Sequence, residues 1–335
     1  MDETHISLAH GNGGRFMRAL IRDVFARHLS NPLLNTDLDA AILPWHVQGE
    51  MVVTTDGFTV EPLTFPGGDI GALAVHGTVN DLAVAGADPL YLTVNAFIEE
   101  GFPIEQLEQF VVSMAQAAKH MDVKVIAGDT KVVPRGGVSG VFFATTGIGV
   151  RPESIRLMPE EIQDGDVILV SGPIGDHGTA VMLAREQFGL SGDLLSDAAS
   201  VYPITRMIRD IEGVRFMRDP TRGGLVTVAH EVSRMTGMTV RLKAGAIPVR
   251  DSVRMVCEIL GYDPYYLACE GRLVVITSPD SAAEVLKRMR QAEGGAESCI
   301  IGQLQTGAAQ VVMETELGGE RIIPELEDDP LPRIC

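Results

Sequence analysis

Glu50-Met51-Val52-Val53-Thr54-Thr55-Asp56-Gly57, followed after the turn Phe65-Pro66-Gly67-Gly68 by Asp69 and the run Ile70-Gly71-Ala72-Leu73-Ala74-Val75-His76-Gly77-Thr78-Val79-Asn80-Asp81-Leu82-Ala83-Val84-Ala85-Gly86-Ala87, sets the fold class. Residues 50–55 read as a buried strand that delivers Asp56-Gly57 at its C-terminal end, where α/β sheets gather ligand groups. Asp69 stands where it can cap a helix through residue 87. That helix is apolar on nearly all sides, so it should be buried, and its polar exceptions stand out. His76 and Asn80 are four apart, as are Gly77 and Asp81, which sets an Asn–Asp pair and a close-approach glycine on adjoining faces. A buried carboxylate is costly unless paired or bound to metal. Asp81 is therefore a structural ion-pair partner or a ligand of metal or nucleotide, and the second reading is preferred.

Outward from this unit the pattern alternates. Residues 91–98 read as a strand, Pro103 opens a helix through Met121 as its first helical residue, and residues 124–127 form a short strand. That strand ends in Gly128-Asp129-Thr130-Lys131, an acid beside a lysine able to neutralise phosphate. Residues 140–150 are a strand and Arg151-Pro152-Glu153 a linker. Upstream, Leu8-Ala9-His10-Gly11-Asn12-Gly13-Gly14 is either an anion-holding loop or a flexible leader, and it runs into a helix with apolar positions at 17, 20, 21, 24 and 25. Neither a Walker A motif nor G-x-G-x-x-G occurs, so any nucleotide is held by other means. In the second half a strand at 166–171 precedes the turn Gly172-Pro173-Ile174-Gly175-Asp176-His177-Gly178 and a helix from Thr179. A strand at 214–218 leads into Asp219-Pro220-Thr221-Arg222-Gly223-Gly224, with Arg222 where a helix start could meet phosphate. Helices near 250–260 and 280–292, with strands near 238–242, 272–277, 299–304 and 309–314, complete an α/β layer. Ala268-Cys269-Glu270-Gly271-Arg272 sets Glu270 and Arg272 around a glycine, and by itself such a glutamate reads more readily as a surface turn residue than as a catalyst.

Composition bounds the function. A chain of 335 residues, 45% apolar, with 36 glycines, has room for two domains. The net charge of −18 repels phosphate backbones and anionic lipid, which argues against nucleic-acid and membrane partners. A polar, acidic start and the lack of a run of about 18 apolar residues point to the cytoplasm. The four cysteines show no C-x-x-C pair and suit a reducing compartment; Cys257, Cys269 and Cys299 read as small core residues. Cys335 differs, because Asp328-Asp329-Pro330-Leu331-Pro332-Arg333-Ile334-Cys335 carries two prolines and should be an extended, mobile arm reaching about 25 Å. Strand-end acids Asp39, Asp56, Asp129 and Asp219, with Asp81 and few lysines, supply hard oxygen donors that suit Mg²⁺ together with substrate phosphates, and hence ATP use without a P-loop.

The runs Thr54-Thr55-Asp56-Gly57-Phe58, Phe65-Pro66-Gly67-Gly68-Asp69-Ile70-Gly71, Gly77-Thr78-Val79-Asn80-Asp81-Leu82-Ala83, Gly128-Asp129-Thr130-Lys131-Val132-Val133 and Arg218-Asp219-Pro220-Thr221-Arg222-Gly223-Gly224, with the ending Pro332-Arg333-Ile334-Cys335, together resemble the HypE hydrogenase maturation factors. These are grouped with aminoimidazole ribonucleotide synthetase, selenophosphate synthetase and thiamine-monophosphate kinase. The resemblance spans the chain and implies an α/β (α+β), two-domain PurM-like fold. Its N-terminal domain, residues 1–155, would hold a mixed sheet that pairs in a homodimer. A C-terminal α/β domain, 156–325, and a flexible tail, 326–335, would follow. It implies metal-binding acids at Asp39, Asp56, Asp81 and Asp219, and nucleotide contacts from Asn80, Gly128, Asp129, Thr130, Lys131 and Arg222. The implied activity is ATP-dependent dehydration of a carbamoyl group on Cys335 to an S-cyanate for nickel–iron hydrogenase. The carbamoyltransferase HypF would donate the group and a HypC–HypD complex would receive the product. Lys131 would then offset phosphoryl charge and Glu270 act as base, with Arg272 placed to hold its carboxylate. A selenophosphate synthetase would be expected to carry a reactive Cys or selenocysteine in the first glycine-rich loop, and residues 10–14 have none. A non-enzymatic thiol carrier would leave the acids as a solvated face, against the expected burial of Asp81.

Overall fold

The computed structural model describes residues 4–11, 14–36, 40–43, 48–185, 192–327 and 333–335; Asp39 and residues 328–332 of the tail lie outside this set. A 3-10 turn (Leu8–Gly11) precedes α1 (Arg15–Leu20), a π-helical turn (Ile21–Ala26) and α2 (Arg27–Leu29). Next come β1 (Glu50–Phe58), the hairpin β2 (Thr64–Phe65) and β3 (Gly68–Asp69), α3 (Ile70–Val84), β4 (Asp88–Glu99), α4 (Ile104–His120), β5 (Lys124–Val133) and β6 (Val141–Arg151). These strands form a mixed four-stranded sheet ordered β1-β6-β4-β5, with β4 and β5 parallel.

The deciding stretch folds largely as its residues dictate. The Asp69 carboxylate accepts from the amides of Gly71 and Ala72 and so caps α3. Helix α3 is buried along nearly its whole length between this sheet and α4. Gly71 and Gly77 are close-approach points: a Cβ at Gly71 would stand 2.0 Å from the Phe110 carbonyl oxygen of α4, and one at Gly77 2.8 Å from the Phe58 ring. The helix stops at Val84 because Gly86 takes a positive φ of 80° and turns the chain into β4. Two strands run further than expected. β1 continues through Asp56 and Gly57 to Phe58 because β6 offers a partner at each step, and β5 continues through residues 128–133 along the long β4. Asp56 and Asp129 thus lie within strands instead of at strand ends. Pro103 stands at the cap of α4 instead of at its first helical position.

The second half holds β7 (Val167–Val170), α5 (Asp176–Ala184), α6 (Tyr202–Ile208), β8 (Val214–Arg218), α7 (Gly224–Thr236), β9 (Thr239–Lys243), α8 (Asp251–Leu260), β10 (Val274–Thr277), α9 (Ala282–Gln291), β11 (Cys299–Gln305), β12 (Gln310–Glu314) and β13 (Glu320–Ile323). Its seven-stranded sheet is ordered β13-β12-β9-β11-β7-β10-β8. Helix α5 starts at Asp176, ahead of the expected Thr179, because Gly175 adopts φ 80° directly before it. The short helix α6 and strand β13 had no clear signal in the sequence. The halves are tied together by polar side chains. Tyr202 donates to Asp88 at 2.6 Å, and Arg209 pairs with Asp88 at 2.7 Å while donating to the Gly86 carbonyl.

Candidate active site

Between the two sheets lies an open cleft of about 660 Å³. Strand alternation places Thr54 and Asp56 on one face of β1, and α3 brings Asp81 to meet them. Thr54 Oγ1 donates to Asp81 Oδ2 at 2.8 Å. From the other side the end of β8 contributes Arg218, and the loop after it Asp219, Thr221 and Arg222. Asp81 is only half-buried, opening to the cleft beside β1 instead of being sealed in the core.

The carboxylates oppose one another's ionisation. Burial, then the nearby Asp81 charge, pushes Asp219 up to about 7. Burial and Asp56 raise Asp81, partly offset by the Thr54 hydrogen bond and more weakly by Arg218 and Arg222. Glu270 is held well above the usual carboxylate range by burial first, then by Asp219, Asp197 and Asp56. So the structure brings Asp56, Asp81, Asp219, Arg222 and Glu270 into one electrostatic neighbourhood. Mutually repelling oxygen donors facing a cleft are chemistry that suits a hard cation. Among the described residues no three His, Cys, Asp or Glu side chains converge into a ready-made metal centre, so such a cation would need further oxygens, as substrate phosphates provide.

Glu270 is not a surface turn residue: it is 2% exposed, and its Oε1 has no hydrogen-bond partner. Arg272 does not hold that carboxylate. It donates to the Pro173 carbonyl and pairs with Asp176 and Asp197, because the chain direction past Gly271 turns it towards α5. Asn80 is buried with both ends of its amide committed. It donates to the carbonyls of Ala199 and Glu270 and accepts from the Val201 amide.

Lys131 and Asp129 stand apart from the acids. Lys131 Nζ pairs with Asp129 Oδ2 at 2.8 Å, which lowers the Asp129 carboxyl, and both are exposed. Asp56 pairs with Thr145, Thr145 with Val94 and Val94 with Gly128, three strands and roughly 14 Å across the sheet. Lys131 pairs with Phe97, which pairs with Phe142, so it belongs to the sheet face opposite α3. Gly128, Asp129 and Thr130 line a small pocket of about 70 Å³ with Phe25, Leu29 and Thr36.

The last three residues are seated on the body. Thr59 N–H donates to the Cys335 carbonyl at 2.9 Å and Glu61 N–H to that of Arg333 at 3.1 Å, an antiparallel pattern just beyond β1. Arg185 also donates to the Arg333 carbonyl, and His177 Nε2 contacts the Ile334 carbonyl at 2.7 Å. Burial lowers the His177 pKa, so the ring is neutral and donates this bond while its Nδ1 accepts from Ser196. Ile334 is buried, and Cys335 packs against the core that holds α3. Thr59 lies three residues past Asp56, about 10 Å along the chain. Thr54 and Asp197 were missed from the sequence. The first has a readable signal, two positions before Asp56 on the same strand face; the second is joined to the site only by folding.

Residues 37–151 match the model for the AIR synthase related protein, N-terminal domain, and 163–314 that for the C-terminal domain. The chain is 45% identical over 334 residues to a carbamoyl dehydratase HypE of Azotobacter vinelandii, covering 98% of this chain and 97% of that one. Among solved structures it is similar to a hydrogenase maturation protein HypE in complex with ATP, with 42% identity, a TM-score of 0.93 and coverage of 98% and 99% of the two chains. It is also similar to a chain of a HypE–HypF complex, with 43% identity, a TM-score of 0.80 and coverage of 93% and 100%.

Proposed function

The chain belongs to the AIR synthase related family and, within it, to the HypE carbamoyl dehydratases, and on that premise we propose that it uses ATP to dehydrate an S-carboxamide on Cys335 to an S-cyanate, supplying cyanide ligands to nickel–iron hydrogenase. The observation that carries this reading is the seat of Cys335 on Thr59, three residues past Asp56 of the carboxylate-lined cleft.

The reaction removes the carboxamide oxygen and both N–H hydrogens as the equivalent of one water. Once phosphorylated, the oxygen leaves with phosphate as the C–O bond breaks, and the N–H protons must be accepted as the nitrile forms. When bound, ATP supplies the phosphoryl group and Mg²⁺ offsets its charge. Asp56, Asp81 and Asp219 would hold the cation, with Asp39, outside the described residues, assigned to the same set. Arg222 at the cleft rim faces the phosphates. Glu270 takes a proton from nitrogen; its raised proton affinity makes it a stronger base than a solvated glutamate once ionised. The Cys335 sulfur stays bonded to the carbon of the group throughout.

The remaining assignments belong to the same proposal. The division of the chain is placed at 155/156, with 326–335 as the carrier tail. Gly128, Asp129 and Thr130 are kept as nucleotide contacts through their pocket beside the π-helical turn. Met51, Val53 and Phe97 are exposed on the uncovered face of the four-stranded sheet, which supports a homodimer paired through that face. Lys131 lies on the same face, and we place it towards the cleft of the other copy. HypF, the partner in the related complex, would donate the carbamoyl group, and a HypC–HypD complex would accept the cyano group. Four cysteines left as free thiols support action in the cytoplasm. No helix among the described residues is long and apolar enough to cross a membrane. The test is to carbamoylate Cys335 with cyanate, add Mg-ATP and follow the Cys335 peptide by mass. Loss of one water is expected, and an unchanged mass overturns the reading.

A further inference from the structure

The segment 268–270 is anchored at four of its six backbone polar groups while Oε1 of the one carboxyl it presents is left unpaired. The Ala268 carbonyl accepts from Gly178 N–H at 3.0 Å, and Cys269 N–H donates to the Pro220 carbonyl at 3.0 Å, tying the segment to the loop that holds Asp219. Glu270 N–H donates to Asp197 Oδ1 at 3.2 Å. The Glu270 carbonyl accepts from Asn80 Nδ2 at 3.2 Å and from Ala199 N–H at 3.4 Å. Asn80 secures the opposing loop as well, through Ala199 and Val201.

Asp197 is the pivot of this arrangement. Its side chain is fully buried, and its second oxygen lies 3.3 Å from Arg272 Nε, an ion pair without a hydrogen bond, since that N–H is donated to the Pro173 carbonyl. Arg272 is itself held by the Pro173 carbonyl and Asp176. The two loops are pressed together at Gly271, where a Cβ would stand 1.9 Å from the Asp197 carbonyl oxygen. A main chain fixed on both sides with a carboxyl unpaired at Oε1 is the arrangement of a group held ready for something outside the protein.

We propose that Asp197, working with Asn80, is a positioning residue for Glu270: the two side chains clip the N–H and the C=O of residue 270 so that its carboxyl points at the reacting carboxamide. This rests on the proposed dehydration. An error of about 1 Å in placing a reacting group can cost about 10²-fold, so Asp197→Ala should slow water loss from carbamoylated Cys335 by about that factor. The apparent KM for ATP and the extent of carbamoylation by cyanate should stay within about twofold of the parent. Asp197→Asn keeps an oxygen for the Glu270 N–H and should fall between Ala and the parent; it also carries the test if the Ala variant does not fold.

The decisive measurement is a double-mutant cycle with Glu270→Gln. If Asp197 acts through Glu270, then Asp197→Ala adds almost nothing once the base is gone. A multiplicative loss in the Gln background would show that Asp197 supports the fold or another step, and would overturn the clip. So would a parent-like rate in Asp197→Ala, or a KM that rises as far as the rate falls. If the parent itself loses no water with Mg-ATP, the dehydratase reading fails and the clip falls with it. If the parent turns over and both Asp197 variants match it, only the clip fails.

Discussion

At the scale of single residues, the site is governed by where proton affinity is raised and why. Glu270→Gln should bind ATP and accept the carbamoyl group but stop before the nitrile, with water loss slowed by about 10²–10⁴-fold in a mass-spectrometric time course. Asp219 gives a pH test that needs no nucleotide. Its folded pKa of about 7 lies above the ordinary 3.8, so the folded state binds a proton that the unfolded state releases. Its contribution is fully present below about pH 4 and is lost as pH rises towards 7, on the order of a few kcal/mol. Thermal unfolding of the ligand-free protein should show this decline, and Asp219→Asn should remove most of it. Asp56 and Asp219 could be picked out beforehand because each follows a strand pattern, and Asp81 because a carboxylate in an apolar helix needs a partner. The burial of Glu270 could not. Nothing local in Cys269-Glu270-Gly271 distinguishes a surface turn from a sealed loop; packing against 197–201 and Pro220 makes the difference.

At the scale of elements, the strand–helix unit β1–α3 was legible because its signals are local: a capping aspartate, an apolar helix with glycines at its contacts, and a strand of β-formers. The lengths of β1 and β5 were not, since a strand ends where its partner ends, and the partner lies far along the sequence. The seat of the tail is likewise a product of distant segments, Thr59, Glu61, His177 and Arg185. Arg185 donates to the carbonyls of both Glu61 and Arg333. Arg185→Ala should therefore shift the tail outward about tenfold or more, given about 1.5–3 kcal/mol for hydrogen bonds from a charged donor. Faster alkylation of Cys335 by iodoacetamide, with Cys257 and Cys269 as buried internal references, would report it. An unchanged rate would mean that the other contacts suffice.

At the scale of the whole molecule, the open face of the four-stranded sheet and the position of Lys131 lead to one test. If Lys131 acts across a homodimer, mixing Lys131→Ala chains with Asp56→Asn chains should restore activity. Random exchange would leave about a quarter of sites intact. No recovery in verified mixed dimers would confine Lys131 to its own chain. The polar seam between the two halves has another consequence. Asp88 joins Tyr202 and Arg209, Asn80 joins the loops at 199 and 270, and the chain end crosses back to Thr59. Each half on its own would strand these groups without partners, so neither sheet should survive the loss of the other. A scanning calorimeter should thus record one heat-absorption peak, its calorimetric enthalpy equal to the van't Hoff value, instead of the two peaks of independently melting domains.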